Sequence, residues 1–247
     1  MTQLTRTPTL SLGQISQYER DGYVLYHQPV FAPEKFARLK TIFEEDAQTY
    51  GEEDLDTIHF RDARLLEFLL SNEVLDLVEP LIGPNIGLFS SHFISKPPGV
   101  GRATPWHEDS SYWQGRISSM EKICTLWLAM DEASPENGCM KVIPGTHVNG
   151  FSQYQPVDMR ENIFDREIVP DSVDEERAVY FSLQPNECSF HEARIIHGAN
   201  ANTSSKRRCG YTMRYFPTSS QIYLEENDIH KIWLARGKDL ANNRFEN

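Results

Sequence analysis

Basic clusters are missing from this sequence: nowhere do five or more lysines and arginines gather, and the formal net charge is −12. That argues against nucleic acid as a partner, because such binding rests on Lys and Arg neutralising phosphates. The acidity reads as solubility. Apolar runs are short as well. Met1 to Gln17 holds no apolar stretch of seven residues, and no span of the chain approaches the roughly 20 residues of a membrane helix, so neither a signal peptide nor a membrane span is expected. Cysteine is limited to Cys124, Cys139, Cys188 and Cys209, without a CxxC pair. Such scatter makes a poor zinc site, and reduced, buried thiols in a cytoplasmic protein are the expectation. Low-complexity tracts and internal repeats are also absent.

What is there is an ordinary globular composition, 39% hydrophobic and 24% charged over 247 residues. A chain of this length can bury a core and enclose a pocket within one domain. The first third, 1–85, reads as mainly helical support. Ser11 or Ser16 opens a helix that stops near Asp21-Gly22, and Tyr23 to Tyr26 follows as a strand. Ala32-Pro33-Glu34 starts a second helix with Phe36, Leu39, Ile42 and Phe43 on one face. Leu65 to Leu70 suggests a third. Asn72-Glu73 opens a fourth, with Val74, Leu75, Leu77 and Val78, before Pro80 and Gly83-Pro84 close the region.

From residue 86 the period changes to strands: Ile86 to Ser95, Ile123 to Met130, Met140 to Ile143, Ala178 to Leu183, Cys188 to Phe190 and Arg208 to Phe216. Helices followed by many short strands predict a mainly β domain with N-terminal helices, a jelly roll over 86–217 backed by those helices. Residues 151–177 form a long polar connection, expected to be a lid, and 218–247 a C-terminal extension.

His107 and Asp109 are two residues apart, and on a strand such residues face the same side. Alone the pair is weak: with 8 histidines and 36 acids in 247 residues, about one His-x-acid pair arises by chance. A second histidine from a distant strand would complete a 2-His-1-carboxylate facial triad, which leaves three adjacent metal positions open. His197, in Arg194-Ile195-Ile196-His197-Gly198-Ala199, is that candidate, and His191 is its rival.

Several blocks, in this order, resemble the phytanoyl-CoA dioxygenase family from about Tyr18 to Pro217. They are Lys96-Pro97-Pro98, Pro105-Trp106-His107-Glu108-Asp109, Thr125 to Asp131, Pro135 to Met140 with Ile143 to His147, and His197-Gly198 with Arg208. The resemblance implies a double-stranded β-helix, cupin-like, with iron(II) and dioxygen, and 2-oxoglutarate converted to succinate. It implies His107, Asp109 and His197 as iron ligands and Arg208 as the clamp on the distal carboxylate of 2-oxoglutarate. A guanidinium suits that task, being planar, bidentate and permanently charged. Arg207 competes, but Arg208-Gly210-Thr212-Arg214 is the strand face suited to a polar cavity, whereas the Arg207-Cys209-Tyr211-Met213-Tyr215 face suits packing on helices. Arg207 is then a solvated strand-end charge. His191 lacks an arginine eleven residues on, and His147 serves backbone groups in its turn. Trp127 and His92 match positions that touch the 2-oxo acid. Ser111, Tyr112 and Trp113 are expected on the substrate wall, with Arg194 as a further contact and Arg214 beside it. The chain departs from the family at Gln184-Pro185-Asn186-Glu187, where a Gly-Asp turn is usual, and at Ala199, where a serine is usual.

The expected reaction is hydroxylation of a small organic molecule. Asp109 holds the position that a halide would need, which argues against halogenation. Desaturation, cyclisation or epimerisation would use the same residues, and a non-catalytic jelly-roll binding protein is the alternative from another class. No oligomeric state follows from the sequence. The segment 151–177 carries eight acids and three arginines, five of the chain's twelve net negative charges. Over an entrance such a field would favour a neutral or cationic substrate over a coenzyme A thioester.

Overall fold

The structure, a computed structural model, describes residues 8–246; the first seven residues of the expected helical support, and Asn247, lie outside that range. Ser11 caps α1 (Leu12–Asp21) through a reciprocal capping box with Gln14, satisfying two amide donors of the first turn. Gly22 ends it with φ 79°, and a Cβ there would fall 2.5 Å from Nδ1 of His147. His147 also meets the Glu19 carbonyl, Nε2 to O 3.2 Å, so its role is structural, as read from its turn. β1 (Tyr23–Tyr26) and α2 (Pro33–Tyr50) follow, then the short α3 (Leu66–Leu69) and α4 (Asn72–Ile82). The last helix runs through Pro80 instead of stopping before it. In the final turn the missing N–H removes a single bond from the ladder.

The remaining strands are β2 (Ile86–Lys96), β3 (Thr104–His107), β4 (Cys124–Ala129), β5 (Met140–Val142), β6 (Tyr154–Pro156), β7 (Arg166–Ile168), β8 (Val179–Tyr180), β9 (Cys188–Glu192), β10 (His197–Ala199), β11 (Arg208–Pro217) and β12 (Trp233–Arg236). They form a six-stranded sheet, ordered β1-β9-β4-β11-β2-β12, and a facing four-stranded sheet, β3-β10-β5-β8. All pairings in both are antiparallel. This is the jelly roll. β12, in the expected extension 218–247, supplies an edge of the large sheet.

Alternation along β11 divides the molecule. Cys209, Tyr211, Met213 and Tyr215 face outward into the main core with Leu39, Phe43, Leu75 and Val78 of the helices. Burying such side chains contributes about 1.5–3 kcal/mol each. Arg208, Thr212 and Arg214 face inward, between the sheets. Arg207 is no solvated end charge. It bonds Asp131 at 2.8 Å and Glu44 of α2 at 2.7 Å, and so ties the helical layer to the sheet. At 184–187, Asn186 takes the left-handed conformation, φ 72°, one that asparagine tolerates better than most residues. Its side chain bonds both the N–H and the C=O of Phe31, at 3.0 and 2.8 Å.

Residues 151–177 are not a featureless connection. β6 and β7 pair as a hairpin, and Ile168 packs with Trp106, Ile143 and Ile196. The hairpin tip is held to the chain beside β3 by Ala103 N–H to Glu161 O and Ile163 N–H to Ala103 O, both 2.9 Å. The four cysteines are buried and unpaired, and no helix among the described residues is long and apolar enough to cross a membrane.

Candidate metal and 2-oxo acid site

His107 ends β3 and is the direct cross-strand partner of His197 on β10. Paired residues on one face have neighbouring side chains, and the two imidazole centroids lie 4.0 Å apart. Glu108 keeps the chain extended, so Asp109, the first residue of a 3-10 turn, returns to the same side. Asp109 Oδ1 is 3.7 Å from His107 Nε2 and 3.8 Å from His197 Nε2. The three residues are buried, and their ligand atoms lie within 4.8 Å of one another, close enough to hold one metal ion. Both histidines are oriented from behind: Nδ1 of His107 meets the Pro105 carbonyl at 2.8 Å and Nδ1 of His197 the Ile195 carbonyl at 3.0 Å. A bond at Nδ1 fixes the tautomer and leaves Nε2 to the ion.

Electrostatics prepares the same state. Burial alone would raise the Asp109 carboxyl, but Arg214 and the two histidines hold it well below the usual carboxylate range. Burial, with His107 adding to it, pushes His197 well below the ordinary imidazole value. The set therefore offers a carboxylate and a neutral His197, as a divalent ion requires.

The site opens into a cavity of about 110 Å³ between the sheets. At one end lies Arg208, 2% exposed, with Nε on the Gly138 carbonyl and Nη1 on the Ile94 carbonyl, each at 3.1 Å. Burial lowers it to about 10, so it stays charged at neutral pH, and no carboxylate among the described residues pairs with it. A buried guanidinium held only by carbonyls is a receptor for an anion. Trp127 forms part of the wall, its ring 5.7 Å from the Arg208 carbon, and it lies flat because residue 210 is glycine: a Cβ there would fall 1.9 Å from the indole. Gly210→Ala should therefore lower the urea midpoint by the equivalent of about 1–3 kcal/mol and weaken 2-oxo acid binding. An unchanged midpoint would mean that Trp127 has room to move. His92 and Ala199 also line the cavity. The serine hydroxyl missing at Ala199 would have contributed about 1 kcal/mol.

The residues after Asp109 divide by the period of a 3-10 turn, three per revolution. Tyr112, three on, returns toward the candidate ligands, 6.1 Å from the His107 ring and 5.5 Å from Phe164. Ser111 spends its hydroxyl on the Glu108 carbonyl, at 2.8 Å. Trp113 backs Arg214 from 5.6 Å and packs on Phe89. Arg194 is not brought to this cavity. It pairs with Glu192 at 2.9 Å and lines a separate hollow of about 450 Å³ beyond residues 108–110, with Gln114, Met120 and Phe151.

Sequence reasoning missed two contributors and one contact of a third. Ile163 and Phe164, at the hairpin tip, line the cavity, with Phe164 5.0 Å from the His107 ring. Arg214, read only as a secondary substrate contact, donates through Nε to Asp109 Oδ2 at 3.2 Å. It occupies the oxygen turned away from the histidines. The acids of 151–177 divide: Glu161 and Asp165 flank the cavity-lining Ile163 and Phe164 at the hairpin tip, whereas those of 171–176 lie elsewhere. Glu175 accepts from Trp106 Nε1 at 2.6 Å and faces Lys141, on the side of β3 away from His107. Asp171, Asp174 and Glu176 are exposed with it.

The fold is that of a non-heme monooxygenase, ThoJ, whose apo structure superposes with a TM-score of 0.78 at 20% identity over 95% of this chain and 87% of that one. It is also that of SnoK, a non-heme alpha-ketoglutarate-dependent carbocyclase from nogalamycin biosynthesis, with a TM-score of 0.73, 20% identity and 89% of each chain covered. The sequence carries the relationship further. Residues 18–210 match the family model for phytanoyl-CoA dioxygenase, and the chain belongs to that family. A Caenorhabditis elegans phytanoyl-CoA dioxygenase domain-containing protein 1 homolog is 25% identical over 185 residues, 71% of this chain. The match spans 64% of that relative's own length, just under two thirds.

Proposed function

We propose that the chain is an iron(II)- and 2-oxoglutarate-dependent dioxygenase that hydroxylates a small organic substrate, releasing succinate and carbon dioxide. The observation that carries this reading is one cavity with the buried His107-Asp109-His197 set in it and the unpaired Arg208 guanidinium at its end. A facial set of three ligands leaves room for a bidentate 2-oxo acid and oxygen, and Arg208 supplies the fixed charge for the acid's far carboxylate. When bound, the iron and its co-substrate supply the oxidising chemistry. The chain's own residues orient and shield it. Arg208 and the Trp127 wall set the 2-oxo acid's direction, Asp109 is presented through Oδ1, and Ile163 and Phe164 close the hairpin side against water. SnoK, a relative in fold, is itself described as alpha-ketoglutarate dependent.

Succinate formation from 2-oxoglutarate with iron(II) and oxygen tests the proposal, scored by its stimulation across a panel of small metabolites. A jelly-roll binding protein would bind without forming succinate. Because Asp109 fills the position a halide would take, the product formed in chloride buffer should carry a new hydroxyl and no chlorine. A chlorine isotope pattern in its mass spectrum would overturn that assignment.

A further inference from the structure

We infer that Arg214 is the contact for an anionic group on the primary substrate, which makes that substrate a small monoanion. This rests on the iron(II) and 2-oxoglutarate reading above and adds the substrate's charge to it. Arg208 and Arg214 lie on the same face of β11 and line the same cavity, six residues apart, or roughly 20 Å along a strand. One cation stands at each end.

Arg214 is 12% exposed. Nε binds Asp109 Oδ2 and Nη1 binds Thr212 Oγ1, both at 3.2 Å, while the cation rests over Trp113. Among the described residues Nη2 donates no hydrogen bond, so that end of the planar fork is free.

The charges of the filled cavity then do not cancel. Asp109 is the one acid among the residues lining it. A divalent iron with Asp109 leaves one positive charge, and the two carboxylates of 2-oxoglutarate turn that into one negative charge. Arg208 cancels it, and Arg214 remains over. Metal binding claims the charge of Asp109 that balances Arg214 in the empty cavity. Lys96, directly across from Arg208 in the sheet, turns its amine to the Arg102 carbonyl and offers no negative charge, and burial, then Arg208, push it down to about 6. His92 faces Asp56 at 3.7 Å. A buried cation without a counter-charge is unfavourable, and a monoanionic substrate removes that surplus. A cation would double it. The exposed acids of 171–176 are too screened to reverse this, because exposed charges beyond about 8–10 Å are largely shielded at physiological salt. The outer chamber, about 320 Å³, shares His92, Ile94, Ile163 and Phe164 with the inner cavity; of its two acids, Glu52 already accepts from Ser95 and faces Arg207 at 3.6 Å, and Glu53 is exposed.

The test uses propanoate, propanamide and propanamidinium, which share one shape and differ in charge. Iron content and 2-oxoglutarate affinity of the wild type are measured first, and absence of both sinks the underlying reading, not the choice of anion. With iron(II) and saturating 2-oxoglutarate, without oxygen, paramagnetic relaxation of the probes' protons reports binding near the metal. Propanoate should bind at least about tenfold more tightly than either analogue. Arg214→Met, compared with the wild type at matched iron loading, should erase that preference. If the methionine variant loses iron, Arg214→Lys decides, because it keeps a charge beside Asp109 but not the fork; there propanoate affinity should fall about fivefold or more. Equal or tighter binding of the amide or the amidinium, or propanoate affinity unchanged in the variant that retains iron, overturns the inference.

Discussion

Alanine at His197 should give a folded protein that retains almost no iron and forms no succinate, with His107→Ala behaving the same way. Each histidine offers the metal one Nε2 atom, already directed by a carbonyl at Nδ1, and among the described residues no further donor joins the cluster. His191 stands beside it, its Nε2 4.0 Å from Asp109 Oδ2. That is the oxygen facing Arg214, not the one facing the two ligand histidines. Loss of an outer partner typically costs about 10–100-fold in metal affinity, so His191→Ala should stay within that range while the two ligand variants go far beyond it. The fold should survive, since the jelly roll is held by the core on the far side of the large sheet, around Tyr211, Met213 and Tyr215. Far-ultraviolet circular dichroism and iron per chain together decide the matter. Wild-type iron content in His197→Ala, or its loss only in His191→Ala, would exchange the roles of these two histidines.

The rivalry between His191 and His197 shows what the sequence could convey. Features encoded locally were legible. Gly22 marked the end of α1 and its start was narrowed to Ser11 or Ser16, of which the structure uses Ser11, and a period of two on β11 separated Arg208 from Arg207. Both depend on neighbours in the chain. Features that depend on where distant segments meet were not legible. The strands of the hairpin, Tyr154–Pro156 and Arg166–Ile168, are three residues each, too short to show alternation within a largely polar segment of 27 residues. Nothing local says on which side of β3 the acids of 171–176, beyond the hairpin, would fall. Arg194, close to His197 in sequence, is carried to another hollow because the chain turns between β9 and β10. Arg214, seventeen positions beyond His197, touches the site. Its inward direction could be read from alternation, but its partner Asp109 could not, since that contact spans 105 residues.

Arg208→Met should weaken 2-oxoglutarate binding by about 2–5 kcal/mol, a factor of about 30 to 4,000, because it strips the counter-charge from a carboxylate that remains buried. The guanidinium is already in place before any anion arrives, held by the carbonyls of Gly138 and Ile94, so little of the binding energy is spent on ordering it. Arg208→Lys should fall between the two, keeping a charge but not the planar fork. Arg207→Met is the control, one residue away and facing the other side. Its partners are Asp131 and Glu44, at a partly exposed junction with α2, where an ion pair contributes about 0–1 kcal/mol. The methionine can still pack on Phe43, over which the arginine now lies. Arg207→Met should thus shift the urea midpoint slightly and leave 2-oxoglutarate affinity near wild type, while Arg208→Met should do the reverse. Removing Arg208 also removes an unpaired buried cation from the empty cavity, so the ligand-free protein should lose little stability or gain some. Calorimetric titration of 2-oxoglutarate into the iron-loaded variants, anaerobically, measures the affinities directly. Equal losses in the two variants would refute the division of β11 into a cavity face and a packing face, and a loss confined to Arg207→Met would place the carboxylate clamp on the helical side of the sheet.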